Sequence, residues 1–494
     1  MTHTGRVIVI GTGPAGATAA LFLSRAGLEP LVLEAGSGKA ELGLTARVRG
    51  VTLAKWKPAL EQRQDLTNTG DPGAMLFEKL APGGLSNHWA CAVPRFAPDD
   101  FADAARAGTA YEWPIDYQEL APWYARVEPL LRIAGSARDV PSLPAGRVSS
   151  EQTLGPEWDA VTSRAAERGR DVVAMPYAYG DETTVTRAAT PFNAFTRLVA
   201  PVAQAGGLSV RFDAQALRLE WSRAEKRVSA VICRNPRTGA EERIACRAVV
   251  LAAGAVNSAQ ILLESRSSEL PEGIGNEAGL VGKYLHDHPL AKLVLRLGRQ
   301  IPISPASYIT RPPLSRSEPL YAAAFMQWSG VVAHARSVLA GHPGRTRELG
   351  YSIFGTMIPT AEDCVTLLPG ARQGERSRIG FALRYPRYAV EVLEKARDEL
   401  VAMLDEAGWA PTIDVFKVEP PGNSVHYGGT CRMHASPEYG VVDSNCRVFG
   451  ARNVVVADSA VFTTGPEKNP VLTAMTLAAR ASERLADDLR AGDA

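Results

Sequence analysis

His426 and His434 bound the stretch HYGGTCRMH, so two of the eight histidines of a 494-residue chain fall within nine positions. An imidazole there can take a proton near neutral pH, ligate a metal, or satisfy a turn by hydrogen bonding. A second close pair, His286 and His288 in VGKYLHDHP (281–289), has the H-x-H spacing that can ligate a metal on a strand. No third ligand stands nearby in the sequence, so no metal is expected.

A second set of residues points to a phosphate-bearing ligand. RVIVIGTGPAGATAALFLSRAGLEPLVLEAG (6–36) reads as strand, tight turn, helix, strand. Val7–Ile10 is an unbroken apolar run, as a buried parallel strand should be. Gly11, Gly13 and Gly16 fill G-x-G-x-x-G. Gly11 permits the turn, Gly13 lets backbone approach a pyrophosphate, and Gly16 lets helix pack on strand. Pro14 and Ala15 open the helix, whose N-terminus offers free N–H groups to phosphate. Ala20, Leu21 and Leu23 suit its sheet-facing side. The second strand, Pro30 to Leu33, ends in Glu34 and Ala35, with Glu34 set to bind ribose hydroxyls and to disfavour a 2′-phosphate. This unit alone leaves FAD and NAD both open.

The whole chain supplies the frame. Its length allows about three domains, or fewer if elements interleave. Apolar residues make up 46%, charged residues 22%, and the net charge is +1. That balance favours neither nucleic acid nor an anionic membrane as partner. The six cysteines (Cys91, Cys233, Cys246, Cys364, Cys431, Cys446) form no C-x-x-C pair and read as cytosolic thiols. The apolar N-terminus lacks a charged leader and a cleavage site, and no other run is long enough to span a membrane. A cytoplasmic chain is expected.

Beyond residue 79 the pattern departs from an NAD enzyme. KLAPGGLSNHWACAVPRF (79–96), CRAVVLAAGAVNSAQILLES (246–265), VGKYLHDHP and RVFGARNVVVADSAVFTTGPEKNPVLTAMTLAARASERLADDL (447–489) together resemble the glucose-methanol-choline (GMC) flavoprotein oxidoreductases. The likeness is greatest to the branch of pyranose oxidases and bacterial glycoside 3-oxidases. It implies an α/β fold (α+β overall), with a doubly wound Rossmann-type FAD domain interleaved with a sheet-based substrate domain. The FAD domain would take 1–99, 190–290 and 416–494, and the substrate domain 100–189 and 291–415. EDCVTLLPGARQGERSRIGFALRYP (362–386) resembles a strand pair of the substrate domain. The following RYAVEVLEKARDELVAMLDEAGW has the 3.6-residue apolar rhythm of an amphipathic helix.

The resemblance also assigns roles. Oxidising an alcohol by hydride transfer needs one group to take the hydroxyl proton and another to hold the oxygen. His426 matches the family's base and Asn469, before Pro470, its partner. FAD would be held by Gly11, Gly13, Pro14, Ala15, Gly16, Glu34 and Ala35, and by Gly83, Gly84, Ser86, Asn87, His88, Trp89, Ala90, Cys91 and Ala92. Ala216, Ala253, Gly254, Asp458, Asn469, Pro470 and Val471 complete the set, with Asp458 near the ribityl chain. The helix after Pro470 would aim its N-terminus at the flavin, and the glycines after His426 would let backbone pass the ring.

In pyranose oxidases the His matching His88 is bonded to the flavin. Asn87 stands where they carry Thr, so a covalent link stays open. His434 replaces the usual Gly and reads as structural, and Lys468 as a solvated loop lysine. The expected substrate is a secondary alcohol of a sugar or glycoside, with O2 or a quinone-type acceptor. Aromatic and polar residues around 300–360 are candidates for its pocket. An aminocyclitol glycoside is an alternative substrate, and a hydroxynitrile-lyase-type protein an alternative function.

Overall fold

The computed structural model describes residues 5–38, 65–180, 192–312, 323–327, 344–369 and 377–492, with backbone alone at 47–48, 51–52 and 61–62. Two six-stranded sheets carry the site. Their strands, in chain order, are β1 (Val7–Ile10), β2 (Leu31–Leu33), β3 (Val172–Ala174), β4 (Ser209–Arg211), β5 (Ala248–Leu251) and β6 (Leu290–Pro302). Then come β7 (Ser307–Ile309), β8 (Ala323–Gln327), β9 (Arg345–Gly355), β10 (Pro411–Val418), β11 (Arg447–Val448) and β12 (Ala451–Val456). The helices that matter are α1 (Pro14–Arg25), α2 (Tyr117–Leu131), α3 (Ala255–Glu264), α4 (Ala389–Glu406) and α5 (Val471–Ala491).

The first sheet has the order β4-β2-β1-β5-β12-β11 and is parallel apart from β11. Its central strands are unbroken apolar runs because both faces are covered; Val7 to Ile10 pair residue for residue with Ala248 to Leu251, all buried. Helix α1 is buried from Ala15 through Leu23, more than one stripe, because α5 packs on its other side. From β1 the chain turns one way to β2 and, much later, the other way to β5. That reversal opens a crevice at the carboxyl ends of the strands.

The second sheet is antiparallel throughout, in the order β3-β7-β8-β9-β6-β10. Along β6 the period of two separates the faces. Ala291, Leu293, Leu295 and Leu297 pack with Leu393, Ala396, Leu400 and Met403 of α4. Each fully buried Leu there contributes roughly 1.5–3 kcal/mol. Leu290 and Lys292 point the other way, opposite Phe354 and Ser352 of β9, and Ser352 in turn stands opposite Met326 of β8.

The pair expected in 362–386 does form, with Cys364 opposite Ala382, outside both six-stranded sheets. Its third strand is Leu66–Asn68, parallel to Ile379–Phe381, which makes a separate small sheet. Alternation in a sequence marks a strand and its faces, not which edge it joins. Residues 370–376 of that segment lie outside the described residues. Among the described residues no helix is long and apolar enough to cross a membrane.

Candidate active site

A cavity of about 580 Å³ lies where β1, β2, β5 and β12 end, and the second sheet forms its far wall. Three helices, α1, α3 and α5, begin at this cavity, and none has a side chain capping its first turn. Their first amides and dipole ends therefore face the cavity, an arrangement that suits phosphate and developing negative charge.

The glycines divide by task. A Cβ on Gly11 would sit 2.4 Å from Ala252 O, and one on Gly16 would sit 2.3 Å from Gly11 O. These two are demanded by the protein's own packing. A Cβ on Gly13 would meet nothing within 4 Å, and its φ of −61° suits any residue. What demands glycine at 13 is space on the cavity side, as a pyrophosphate requires. The residues present thus fit a dinucleotide.

Gly13→Val should therefore leave the apoprotein's melting temperature within about 2 °C of wild type while flavin content falls to near zero. Gly11→Ala should lower the melting temperature itself, since the Ala252 carbonyl just past β5 blocks the methyl.

Two buried carboxylates organise the strand ends. Glu34 accepts hydrogen bonds from Thr12 Oγ1 and from Gly36 N (2.7 Å), and Thr12 Oγ1 accepts from Gly83 N at 2.9 Å. Burial raises the Glu34 pKa. Asp458 accepts from Gly254 N (2.9 Å), Ser258 Oγ (2.7 Å) and Ala460 N (2.8 Å), and so ties the β5–α3 turn to the end of β12. Both line the cavity.

His426 and Asn469, 43 positions apart, meet at Nε2···Nδ2 3.1 Å on the cavity wall. With the amide nitrogen donating, Nε2 carries the imidazole lone pair. Nδ1 is buried without a hydrogen-bond partner among the described residues. Asp287, fully buried, holds the loop before it by accepting from Ser424 N (3.0 Å), Ser424 Oγ and His426 N (2.7 Å). Between these contacts Val425 sits at φ +60°, a left-handed conformation that a β-branched residue adopts at a cost of about 1–3 kcal/mol. The backbone is thus bent to aim His426. Its ring packs 5.0 Å from that of His288 and 5.5 Å from that of Phe354. Burial, then repulsion from His288 and Lys292, holds the imidazole well below its ordinary pKa. It is neutral at pH 7, the form that accepts a proton.

Other sequence expectations sort as follows. Pro14, Ala15, Ala35, Gly84, Ser86, His88, Trp89, Ala90, Cys91, Ala92, Ala216, Ala253, Gly254, Pro470 and Val471 line the cavity with the residues above. Gly16, Gly83 and Asn87 do not. A Cβ on Gly83 would strike the Asn193 side chain at 2.3 Å, and Asn87 accepts from Asn193 Nδ2 at 2.9 Å, so both serve the loop's own fold. What demands glycine at 428 is His286, whose Nε2 would lie 2.5 Å from an added Cβ; at 429 it is the backbone, with φ +89° and Tyr284 O 2.0 Å from an added Cβ. His434 closes a turn, its Nδ1 accepting from Ser436 N at 2.9 Å. Among the described residues, no group of three or more His, Cys, Asp or Glu is placed to hold a metal.

Lys468 is not solvated. It is 1% exposed, with Nζ 2.8 Å from Asp100 Oδ2 and 2.8 Å from Glu467 Oε1. A sequence window reads it as a loop lysine because its main partner lies 368 residues away. The sequence reading also missed Asp287, Lys292 and Ser352 as residues of the site. The odd-numbered apolar positions of LAKLVLRL were the available signal, since they leave Lys292 on the opposite face.

Two family models match the chain, an FAD binding domain over residues 6–281 and a GMC oxidoreductase domain over 387–478. The 2-methyl-1,2-propanediol dehydrogenase of Mycolicibacterium austroafricanum is 27% identical, over 97% of this chain and 94% of its own. The 6'''-hydroxyparomomycin C oxidase of Streptomyces lividus is 27% identical, over 98% and 92%. Pyridoxine 4-oxidase from Mesorbium loti superposes with a TM-score of 0.62 at 18% identity, over 97% and 99%. A dinucleotide crevice with its glycine at 13 open, and matches that run through both halves of the chain, lead to one assignment. This chain belongs to the GMC oxidoreductases and is an FAD-dependent enzyme acting on CH–OH groups.

Proposed function

We propose that the enzyme oxidises a secondary alcohol of a sugar or glycoside to the ketone, with O2 or a quinone-type compound as final acceptor. The observation that carries this is the His426–Asn469 pair, 3.1 Å apart, between the dinucleotide crevice and the second sheet. FAD, when bound, supplies the two-electron acceptor. The chain's own residues do the rest. His426 Nε2 takes the hydroxyl proton, and Asn469 Nδ2 donates to the same oxygen and fixes its direction. Leu290, Met326 and Phe354 exclude water from that corner. The likeness of the GG-x-S-x-H-W loop to pyranose oxidases supports a sugar-type substrate. The match to the 6'''-hydroxyparomomycin C oxidase supports an aminocyclitol glycoside as a second reading.

The test is anaerobic titration of the yellow holoenzyme with sugars and glycosides, followed by air. Bleaching by one of them supports the proposal, and the speed of colour return separates oxidase from dehydrogenase. If only non-carbohydrate alcohols bleach it, the sugar assignment fails. Colour that stays with acid-precipitated protein would mark a covalent bond, for which His88 is the proposed site.

A pH profile follows from the depressed His426. A base works unprotonated, so its loss begins only as pH falls toward its pKa. With that pKa well below the ordinary value of about 6.5, kcat/KM should stay flat from pH 8 down through 6. An acid limb centred at 6.5 or above would show that this imidazole is not the group whose protonation stops the reaction.

A further inference from the structure

Among the described residues, the second sheet brings Leu290, Lys292, Met326, Ser352 and Phe354 to the cavity. Leu290 stands opposite Phe354 in one row; Lys292, Ser352 and Met326 follow one another in the next. The apolar row touches the base, since the Phe354 ring is 5.5 Å from that of His426. Rows on one face repeat at about 7 Å. The Ser352 hydroxyl therefore stands about the width of a six-membered ring further along the wall than the residue beside the base.

That hydroxyl has one role filled and one open. Lys292 Nζ donates to Ser352 Oγ at 2.8 Å. An ammonium can only donate, so Ser352 takes the acceptor's part in this bond. Its own O–H is directed elsewhere, and among the described residues no acceptor stands within its reach. Ser352 is 2% exposed yet lines the cavity, so what its O–H can meet there is a bound molecule. A serine beside Leu290, Met326 and Phe354 is buried at a cost unless its proton is also bonded. This uses only the bond between Lys292 and Ser352, whatever else the lysine touches.

We propose that Ser352, oriented by Lys292, is a specificity-determining residue that donates a hydrogen bond to a second oxygen of the substrate, about one six-membered ring's width from the oxidised carbon. The preferred substrate is then a ring that carries an oxygen across from the reacting alcohol, as pyranoses and cyclitols do. A short acyclic alcohol loses this contact and leaves the buried donor unpaired. The inference rests on the alcohol-oxidising reading of the His426 site and deepens it.

The experiment compares trans-4-methoxycyclohexanol with trans-4-ethylcyclohexanol, which share the alcohol and differ by an ether oxygen in place of a methylene. The ether oxygen only accepts, so it reads the donor alone. Rapid mixing with the oxidised holoenzyme gives binding from the shift of the flavin band, ahead of reduction, and anaerobic bleaching gives the reaction. The affinity ratio of methoxy to ethyl compound should fall about tenfold or more from wild type to Ser352→Ala, the worth of one buried hydrogen bond. Comparing ratios cancels the different hydration of the two compounds. Ser352→Thr, which keeps the hydroxyl, should hold the wild-type ratio. A ratio unchanged in Ser352→Ala would show that Ser352 serves only Lys292 and overturns the proposal, as would failure of the methoxy compound to bind wild type. Bleaching decides the other question: a methoxy compound that binds through Ser352 and never reduces the flavin sinks the alcohol reading while leaving the subsite standing.

Discussion

Replacing His426 with Ala should lower the rate of flavin reduction by about 10²–10⁴-fold, the usual worth of a positioned general base. The flavin should remain bound, because the dinucleotide crevice is built by other residues. Asn469→Ala should also be slow, and the double variant should fall little below His426→Ala alone. In the proposed mechanism both groups act on one substrate oxygen, and they hydrogen-bond each other at 3.1 Å, so their effects should not add. Stopped-flow reduction under anaerobic conditions checks this. An additive double variant, or a His426→Ala enzyme within tenfold of wild type, would remove the imidazole from the chemistry. Asp287→Asn tests the layer behind. It should lower kcat by less, since it loosens the loop that holds Val425 at φ +60° without removing the base.

How far such a site can be read from sequence depends on how local its causes are. Gly11, Gly13 and Gly16 are legible because their reasons lie within one turn and one adjoining strand. The apolar runs of β1 and β5 say buried parallel strand, and they pair in register. The amphipathic rhythm of 389–406 correctly gives a helix, since the face it needs is the near-continuous apolar side of β6. The meeting of His426 with Asn469 came from resemblance, not from spacing; nothing local joins residues 43 apart. The partner of the 364–382 strand pair was illegible for the same reason, as Leu66–Asn68 lies about 300 residues upstream. Asn87 and Gly83 were assigned to the cofactor by the resemblance of their segment, and neither lines the cavity. Their actual partner, Asn193, belongs to a distant segment. Charge was the least legible feature. Whether Lys292 or Lys468 is solvated or buried is set wholly by what other segments bring to it.

Lys468→Met should destabilise the protein by about 3–5 kcal/mol, the cost of leaving buried charge uncompensated. Lys468 and Arg311 face three carboxylates, Asp100, Asp103 and Glu467, with all five side chains buried; Arg106 reaches Asp103 from the partly exposed side at 3.5 Å. Burial alone would strip Lys468 of its proton, but Asp100 and Glu467 outweigh it and hold the ammonium above its ordinary pKa. Glu467 is held down to about 2, against burial, by Arg311 and Lys468. The signs follow from these directions. A raised lysine stabilises below its unfolded pKa and loses that support only as pH rises through the folded value. A depressed carboxylate stabilises above its unfolded pKa and loses that support as pH falls toward 2. Burial instead raises Asp100 and Asp103, Asp103 to about 7, so in wild type only the Lys468 and Glu467 contributions stay constant through neutral pH. In Lys468→Met, Asp100 and Glu467 lose a cation and become easier to protonate, so the deficit should shrink as pH falls from 7 to 5. Adding Asp100→Asn should recover part of it at pH 7. Urea unfolding at both pH values measures this. A deficit under 1 kcal/mol, or one that grows with acid, would mean the cluster is neutralised some other way. Because Lys468 adjoins Asn469, the variant should also reduce flavin more slowly, and a loss of stability with no loss of rate would show that the cluster holds the fold but not the Asn469 amide.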